Sequence, residues 1–172
     1  MIIRRVTADE FEMLSELALT TFRDAFEGHP KNAPADMKTY MDAAFDPATL
    51  CAELEDPASL FLLCEIDGEP CGYAKLLFGN VEEPITGDSP VELCRLYSVT
   101  DKIGKGIGQA LMDECLRIAK DRGCDVMWLG VWEFNPRAER FYSKQGFEIV
   151  GKHVFQLGSD PQTDNLMCLR LS

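Results

Sequence analysis

Apolar positions along this chain switch period several times, and each switch marks an element. Ile2 to Val6 reads as a short edge strand. From Ala8 to about Phe26 the positions Phe11, Leu14, Leu17, Ala18, Thr21 and Phe22 recur at helical spacing. Thr7 precedes them as N-cap, with Glu10 three residues on in a capping-box arrangement. Gly28-His29-Pro30 breaks the pattern. Ala35 to Phe45 and Pro47 to Glu55 are two short helical candidates, split by Asp46-Pro47, where Asp46 suits the N-cap and Pro47 the first helical turn. Ser59 to Ile66 and Pro70 to Phe78 then read as strands joined by the Asp67-Gly68 turn, a hairpin.

A turn-rich connection, residues 79–90, leads to an apolar run from Leu93 to Val99. A helical pattern follows as far as about Lys120. Ile107, Leu111, Met112, Cys115, Leu116, Ile118 and Ala119 form its apolar face; Gln109, Asp113, Arg117 and Lys120 form the wet one. Asp113 and Arg117 are spaced to pair, and Gly123 suits the C-cap. Asp125 to Glu133 alternates as a strand, with Val126, Trp128, Gly130 and Trp132 facing one way and Met127, Leu129 and Val131 the other. Asn135-Pro136 opens a short helix that Gly146 closes. Phe147 to Gln156 and Leu166 to Leu171 are the last strands, joined by the polar residues 158–165. The expected order is β-α-α-β-β-β-α-β-α-β-β. This is an α/β (α+β) chain with a mixed sheet and helices on both faces, one domain over residues 1–172.

Composition narrows the function. The chain has 172 residues, 46% apolar and 27% charged, ordinary values for a globular domain. Lys and Arg number 17 against 29 Asp and Glu, so the net charge is 17 − 29 = −12. That argues against nucleic acid as a partner and suits a cationic small substrate. Seven cysteines lie mostly within apolar patterns without C-x-x-C spacing, and only His29 and His153 accompany them. No metal or Cys–His constellation assembles locally. No apolar run approaches a membrane span of about 20 residues. A reducing, cytoplasmic setting is the expectation.

The residues that carry chemistry begin after the Leu93–Val99 strand. Gly104, Gly106 and Gly108 open the following helix. Glycine lets backbone approach a ligand closely, and the first N–H groups of a helix have no internal partner while the macrodipole adds positive potential. An anion site over Gly104, Lys105, Gly106, Ile107, Gly108 and Gln109 follows, with phosphate or pyrophosphate as guest. The spacing is neither the dinucleotide fingerprint nor the P-loop.

A second motif adds to the first: Asn135-x-x-Ala138-x-x-Phe141-Tyr142-x-x-x-Gly146-Phe147. Together the two resemble the GNAT superfamily of N-acetyltransferases, over residues 59–157. That resemblance implies a three-layer fold and acetyl-CoA as co-substrate, its pyrophosphate on the glycine loop. It implies that Leu96, Tyr97, Ser98 and Val99 offer backbone groups to the pantetheine arm, that Asn135 contacts the arm, and that Tyr142 sits near the thiol. The family's loop usually opens with Gln or Arg; here Ile103 holds that place, leaving Lys102 or Lys105 to supply charge. Glu92-Leu93-Cys94-Arg95-Leu96-Tyr97, Trp128 to Glu133, and Phe155-x-Leu157-Gly158-x-Asp160-x-Gln162-Thr163-Asp164-x-Leu166-Met167 resemble the PaiA-type spermidine/spermine acetyltransferases, which implies polyamines or related primary amines as acceptors.

Acetyl transfer to an amine needs a neutral nucleophile, a stabilised oxyanion and a protonated leaving thiol. Tyr142 is the candidate general acid. Glu92 and Glu133, at strand ends, are the candidate bases, and Lys144 a candidate partner for a CoA phosphate. Asn135 has a capping role open beside the ligand role. Trp132 could wall the acceptor pocket, and the cysteines read as core. The alternatives are a protein or peptide N-acetyltransferase and a non-catalytic CoA-binding regulator. A homodimer is compatible with all three.

Overall fold

The computed structural model describes residues 1–171. Five α-helices and seven strands alternate as β1 (Ile2–Arg5), α1 (Phe11–Phe26), α2 (Pro34–Ala44), α3 (Pro47–Glu55), β2 (Ser59–Ile66), β3 (Glu69–Phe78), β4 (Pro90–Ser98), α4 (Ile107–Asp121), β5 (Val126–Trp132), α5 (Pro136–Lys144), β6 (Glu148–Leu157) and β7 (Asp160–Arg170). The chain therefore has one helix more before β2 than the expected order allowed. Asp46 accepts a hydrogen bond from the Ala48 amide, and Pro47 has no N–H, so α3 starts afresh instead of continuing α2.

The strands form one open sheet in the order β1-β2-β3-β4-β5-β7-β6, antiparallel except for β4 beside β5. Two apolar cores sandwich it. On one face α4 buries Ile107, Leu111, Met112, Cys115 and Ile118 against Leu62, Leu76, Leu93, Met127, Leu129 and Met167, and α5 adds Phe141 and Tyr142. On the other, α1 to α3 bury Leu14, Phe22, Met37, Phe45 and Leu50 against Phe61, Leu63, Tyr73 and Leu157. Each such side chain removed from water contributes about 1.5–3 kcal/mol.

Local details match the capping chemistry. The Thr7 amide and hydroxyl both donate to Glu10, at 2.8 and 2.9 Å, across a 3₁₀ turn that leads into α1. Asp67 and Gly68 both have positive φ, the conformation of a two-residue hairpin turn. Arg117, however, pairs with Glu114 and Asp121 and not with Asp113, which accepts from Gln109. Two carboxylates one turn either side outcompete it.

The polar residues 158–165 are mostly strand, not connection. Leu157 pairs with Asp160, so β6 and β7 form a tight hairpin through Gly158 and Ser159. Their polarity reflects one strand face that borders a cleft instead of a core. The Ser159 amide and hydroxyl donate to Asp36 of α2 at 2.7 and 2.8 Å, which fixes this hairpin against the helical layer.

Candidate active site

The cleft exists because the parallel pair of β4 and β5 stops early. β4 and β5 are paired at Pro90–Val126, Val91–Met127 and Glu92–Trp128, and no further. Just beyond, β4 carries a bulge: Lys75 of β3 faces Arg95 and Leu76 faces Leu93, so Cys94 is the extra residue. A bulge bends its strand and increases twist, and β4 leans away from β5. Backbone groups on the two facing edges are left without ladder partners. The opening is part of a cleft of about 750 Å³.

At one end stands the glycine loop. Val99, Lys102, Ile103 and Lys105 spend their amides on backbone carbonyls, and the first helical bond of α4 runs from Ala110 to Gly106. The amides of Gly104, Gly106, Ile107, Gly108 and Gln109 have no acceptor among the described residues. Gly106 is the N-cap at φ 82°, a left-handed conformation that a side chain would strain. Gly72 of β3 lets the helix start come close: a Cβ there would meet Ile107 Cγ2 and the Tyr97 carbonyl oxygen, each at 2.8 Å. The free amides thus face a phosphate-sized opening at a helix N-terminus, and the residues present fit a diphosphate group.

The middle of the cleft is lined by Leu96, Tyr97, Ser98, Asn135, Phe141 and Tyr142. Asn135 caps α5, its Oδ1 accepting from the Ala138 amide at 3.1 Å, which leaves its Nδ2 donors free. Burial holds the Tyr142 phenol above its usual pKa, so its proton is present at neutral pH. Cys94 lines the cleft as well, but burial pushes its thiol up to about 12, where no thiolate is available as a nucleophile.

The expected site residues divide. Gly104, Gly106, Ile107, Gly108 and Gln109 gather at the loop end, and Glu92 lines the cleft with its carboxylate accepting from Asn80 Nδ2 at 2.5 Å. Val99 is not among the lining residues, and its amide donates to Cys71. Lys105 and Lys144 point to solvent outside the lining; Arg95, Lys102 and Arg137 are among the residues that line it. Glu133 stands past the end of β5 in a separate small hollow, 3.7 Å from Lys152.

The far end holds residues that the sequence pattern did not single out as catalytic. Trp132, Asp164 and His153 lie side by side across β5, β7 and β6, each the register partner of the next. Asp164 is 8% exposed and its Oδ1 has no partner; Trp132 Nε1 and His153 Nε2 are likewise buried and unpartnered. Burial raises the Asp164 carboxyl to about 6, with His153 partly offsetting it. Aromatic rings of Phe22, Phe26, Tyr40 and Phe155 complete this end. Cross-strand neighbours of this kind are separated by a hairpin and a helix in sequence, so only alternation along β7 could have flagged Asp164.

A split parallel pair, a loop of free amides and a tyrosine share one cleft. The family model described as Acetyltransferase (GNAT) family matches residues 12–147. An N-acetyltransferase of Mycobacterium tuberculosis is 37% identical over 164 residues, covering 95% of this chain and 97% of the relative.

The chain belongs to the GNAT acetyltransferase family.

Among solved structures, the PaiA N-acetyltransferase of Thermoplasma acidophilum, in complex with coenzyme A, matches this GNAT fold with a TM-score of 0.79 at 22% identity, covering 98% of both chains. The Salmonella typhimurium protein yncA, with its cofactor acetyl-CoA, matches at 0.74 and 21% identity, covering 100% of this chain and 94% of that one. Both likenesses are of fold. Among the described residues, no group of His, Cys, Asp or Glu is arranged to hold a metal ion, and no helix is long and apolar enough to cross a membrane.

Proposed function

We propose that this GNAT enzyme transfers acetyl from acetyl-CoA to a primary amine of the polyamine class. The observation that carries the reading is one continuous cleft with free helix-start amides at one end, Tyr142 in the middle and an aromatic, acidic pocket at the other. The amides of Gly104, Gly106 and Ile107 to Gln109 hold the diphosphate. The unpaired edge of β4 at Leu96 to Ser98, together with the free Nδ2 of Asn135, orients the arm that bears the thioester. Acetyl-CoA, when bound, supplies an activated acyl carbon. Tyr142 donates its proton to the departing sulfur, whose conjugate acid lies near pKa ~8.5. Net charge of −12 draws a polycation toward the cleft. Glu92 lines the cleft with its carboxylate taken up by Asn80, and Glu133 lines a separate hollow, so the base role is sought elsewhere in the cleft.

The test is release of free thiol from acetyl-CoA with a panel of amines that includes spermidine and spermine, beside lysine and N-terminal peptides. Turnover should concentrate on the small amines. Release only with peptides would replace the acceptor class, and no release with any acceptor would remove the transfer reading.

A further inference from the structure

Gly130 lies in the half of β5 that borders the cleft, two residues before Trp132 on the same strand face. A Cβ at this position would sit 2.7 Å from His153 Nε2 and 3.1 Å from Asp164 Oδ2. The space a side chain would fill is thus taken by an imidazole and a carboxylate from two other strands. The remaining oxygen, Oδ1, is buried and unpartnered. An orphaned buried acceptor costs about 1–3 kcal/mol or more when charged, and the fold retains it at the wall of a ligand-sized cleft. His153 continues the line outward. Its Nε2 is 3.6 Å from Asp164 Oδ2 and its Nδ1 is 2.8 Å from Glu82 Oε2, whose side chain is 43% exposed.

The surroundings select the ligand. The rings of Tyr40, Trp132 and Phe155 stand around this end, surfaces that accept a cation on their faces. The other lining cations are accounted for: Arg95 forms a two-point pair with Glu53, and Lys102 and Arg137 belong to the loop and to the start of α5. We propose that Asp164, which lines the cleft beside the bare Cα of Gly130, receives the acceptor's ammonium group and takes the proton that must leave it before attack, with His153 and Glu82 as the route to solvent. This rests on the acetyl-transfer reading above. The amine nitrogen forms a bond to the acetyl carbon as the carbon–sulfur bond breaks. The sulfur leaves with that electron pair and takes the Tyr142 proton, and the nitrogen's second proton, shed once the new bond has formed, returns to the Tyr142 oxygen. Asp164 then passes its proton to solvent through His153 and Glu82. The titratable groups facing Asp164 are His153 from β6, Glu133 at the end of β5, Tyr40 from α2 and, beyond Trp132, His29.

Two measurements test this on the full chain with coenzyme A bound. The first follows the ring protons of His29 and His153, assigned with His153→Gln, while spermidine is titrated in. The His153 resonance should shift in the wild type and stay put in Asp164→Asn. The second follows thiol release from acetyl-CoA. Asp164→Asn should lower kcat at least ~100-fold near neutral pH, the usual scale for a proton acceptor, and the gap should narrow above pH 9, where more amine is already neutral. CoA affinity should stay within twofold. His153→Gln, which keeps the carboxylate, should cost about tenfold in kcat, and it carries the test should Asp164→Asn not fold. A rise in KM alone, with kcat kept, would overturn the proton role. A missing ring shift beside normal thiol release would remove Asp164 as the amine site. A ring shift with no thiol release from any amine would instead sink the transfer reading, and the proton-accepting role with it.

Discussion

The two ends of the cleft work on opposite principles. The loop end offers backbone: Gly104, Gly106 and the first amides of α4, exposed, with no side chain required. The far end offers side chains: Trp132 and Asp164, buried, and His153, half-buried, drawn from three strands. Recognition by backbone depends on conformation, so it tolerates most sequence changes that preserve the turn. Recognition by buried side chains depends on packing and charge, so a single atom decides it.

The largest expected effect lies between the two ends. Tyr142→Phe should lower kcat about 100-fold or more while the Kd for CoA, measured by calorimetry, changes by less than twofold. Unchanged turnover would mean that neither end is coupled to a proton on Tyr142.

Asp164→Asn sharpens the side-chain end through stability. The folded pKa of about 6 lies above the ordinary 3.8. The folded state therefore holds this proton more tightly than the unfolded chain does. Its stabilising share is complete below about pH 4 and is lost as pH rises through 6. Asparagine cannot ionise, so Asp164→Asn should be more stable than the wild type by about 1–3 kcal/mol at pH 8. The two should converge near pH 4, as read from denaturant midpoints. Equal stabilities at pH 8 would show that the buried carboxylate is not strained.

Gly106→Val addresses the backbone end. Positive φ with a branched side chain costs roughly 1–2 kcal/mol, and no atom lies within 4 Å of the added Cβ. The expectation is about a tenfold loss of CoA affinity with amine binding preserved. Loss of both would mean that the ends are not separable. Ile103→Arg is the mildest change. Ile103 is 40% exposed and lines the cleft beside the free amides. A guanidinium there should tighten CoA about fivefold, and more so at low salt. No change would place the diphosphate away from residue 103.

Much of this was readable in the chain. The glycine loop, the α4 face and the Asn135-Pro136 helix start are local features, set by backbone freedom, orphan amides and period. The break at Asp46-Pro47 was legible from the N-cap and the proline, although the expected element order counted one helix too few before β2. The sequence reading took residues 160–165 for a connection, because a strand facing a cleft lacks the apolar alternation of one facing a core. Lys144 carried the right charge but points to solvent, whereas Arg137, one turn away from notice, lines the cleft.

By itself the sequence determined most of the segments that become helix and strand, and that a glycine-rich turn opens a helix after β4. Those outcomes depend on neighbours a few residues apart. Only the tertiary structure decided where β4 leaves β5, that Gly130 yields its space to His153 and Asp164, and that Glu133 lies outside the cleft. These depend on strand register and on a one-residue bulge, and register brings together residues whose separation along the chain carries no signal.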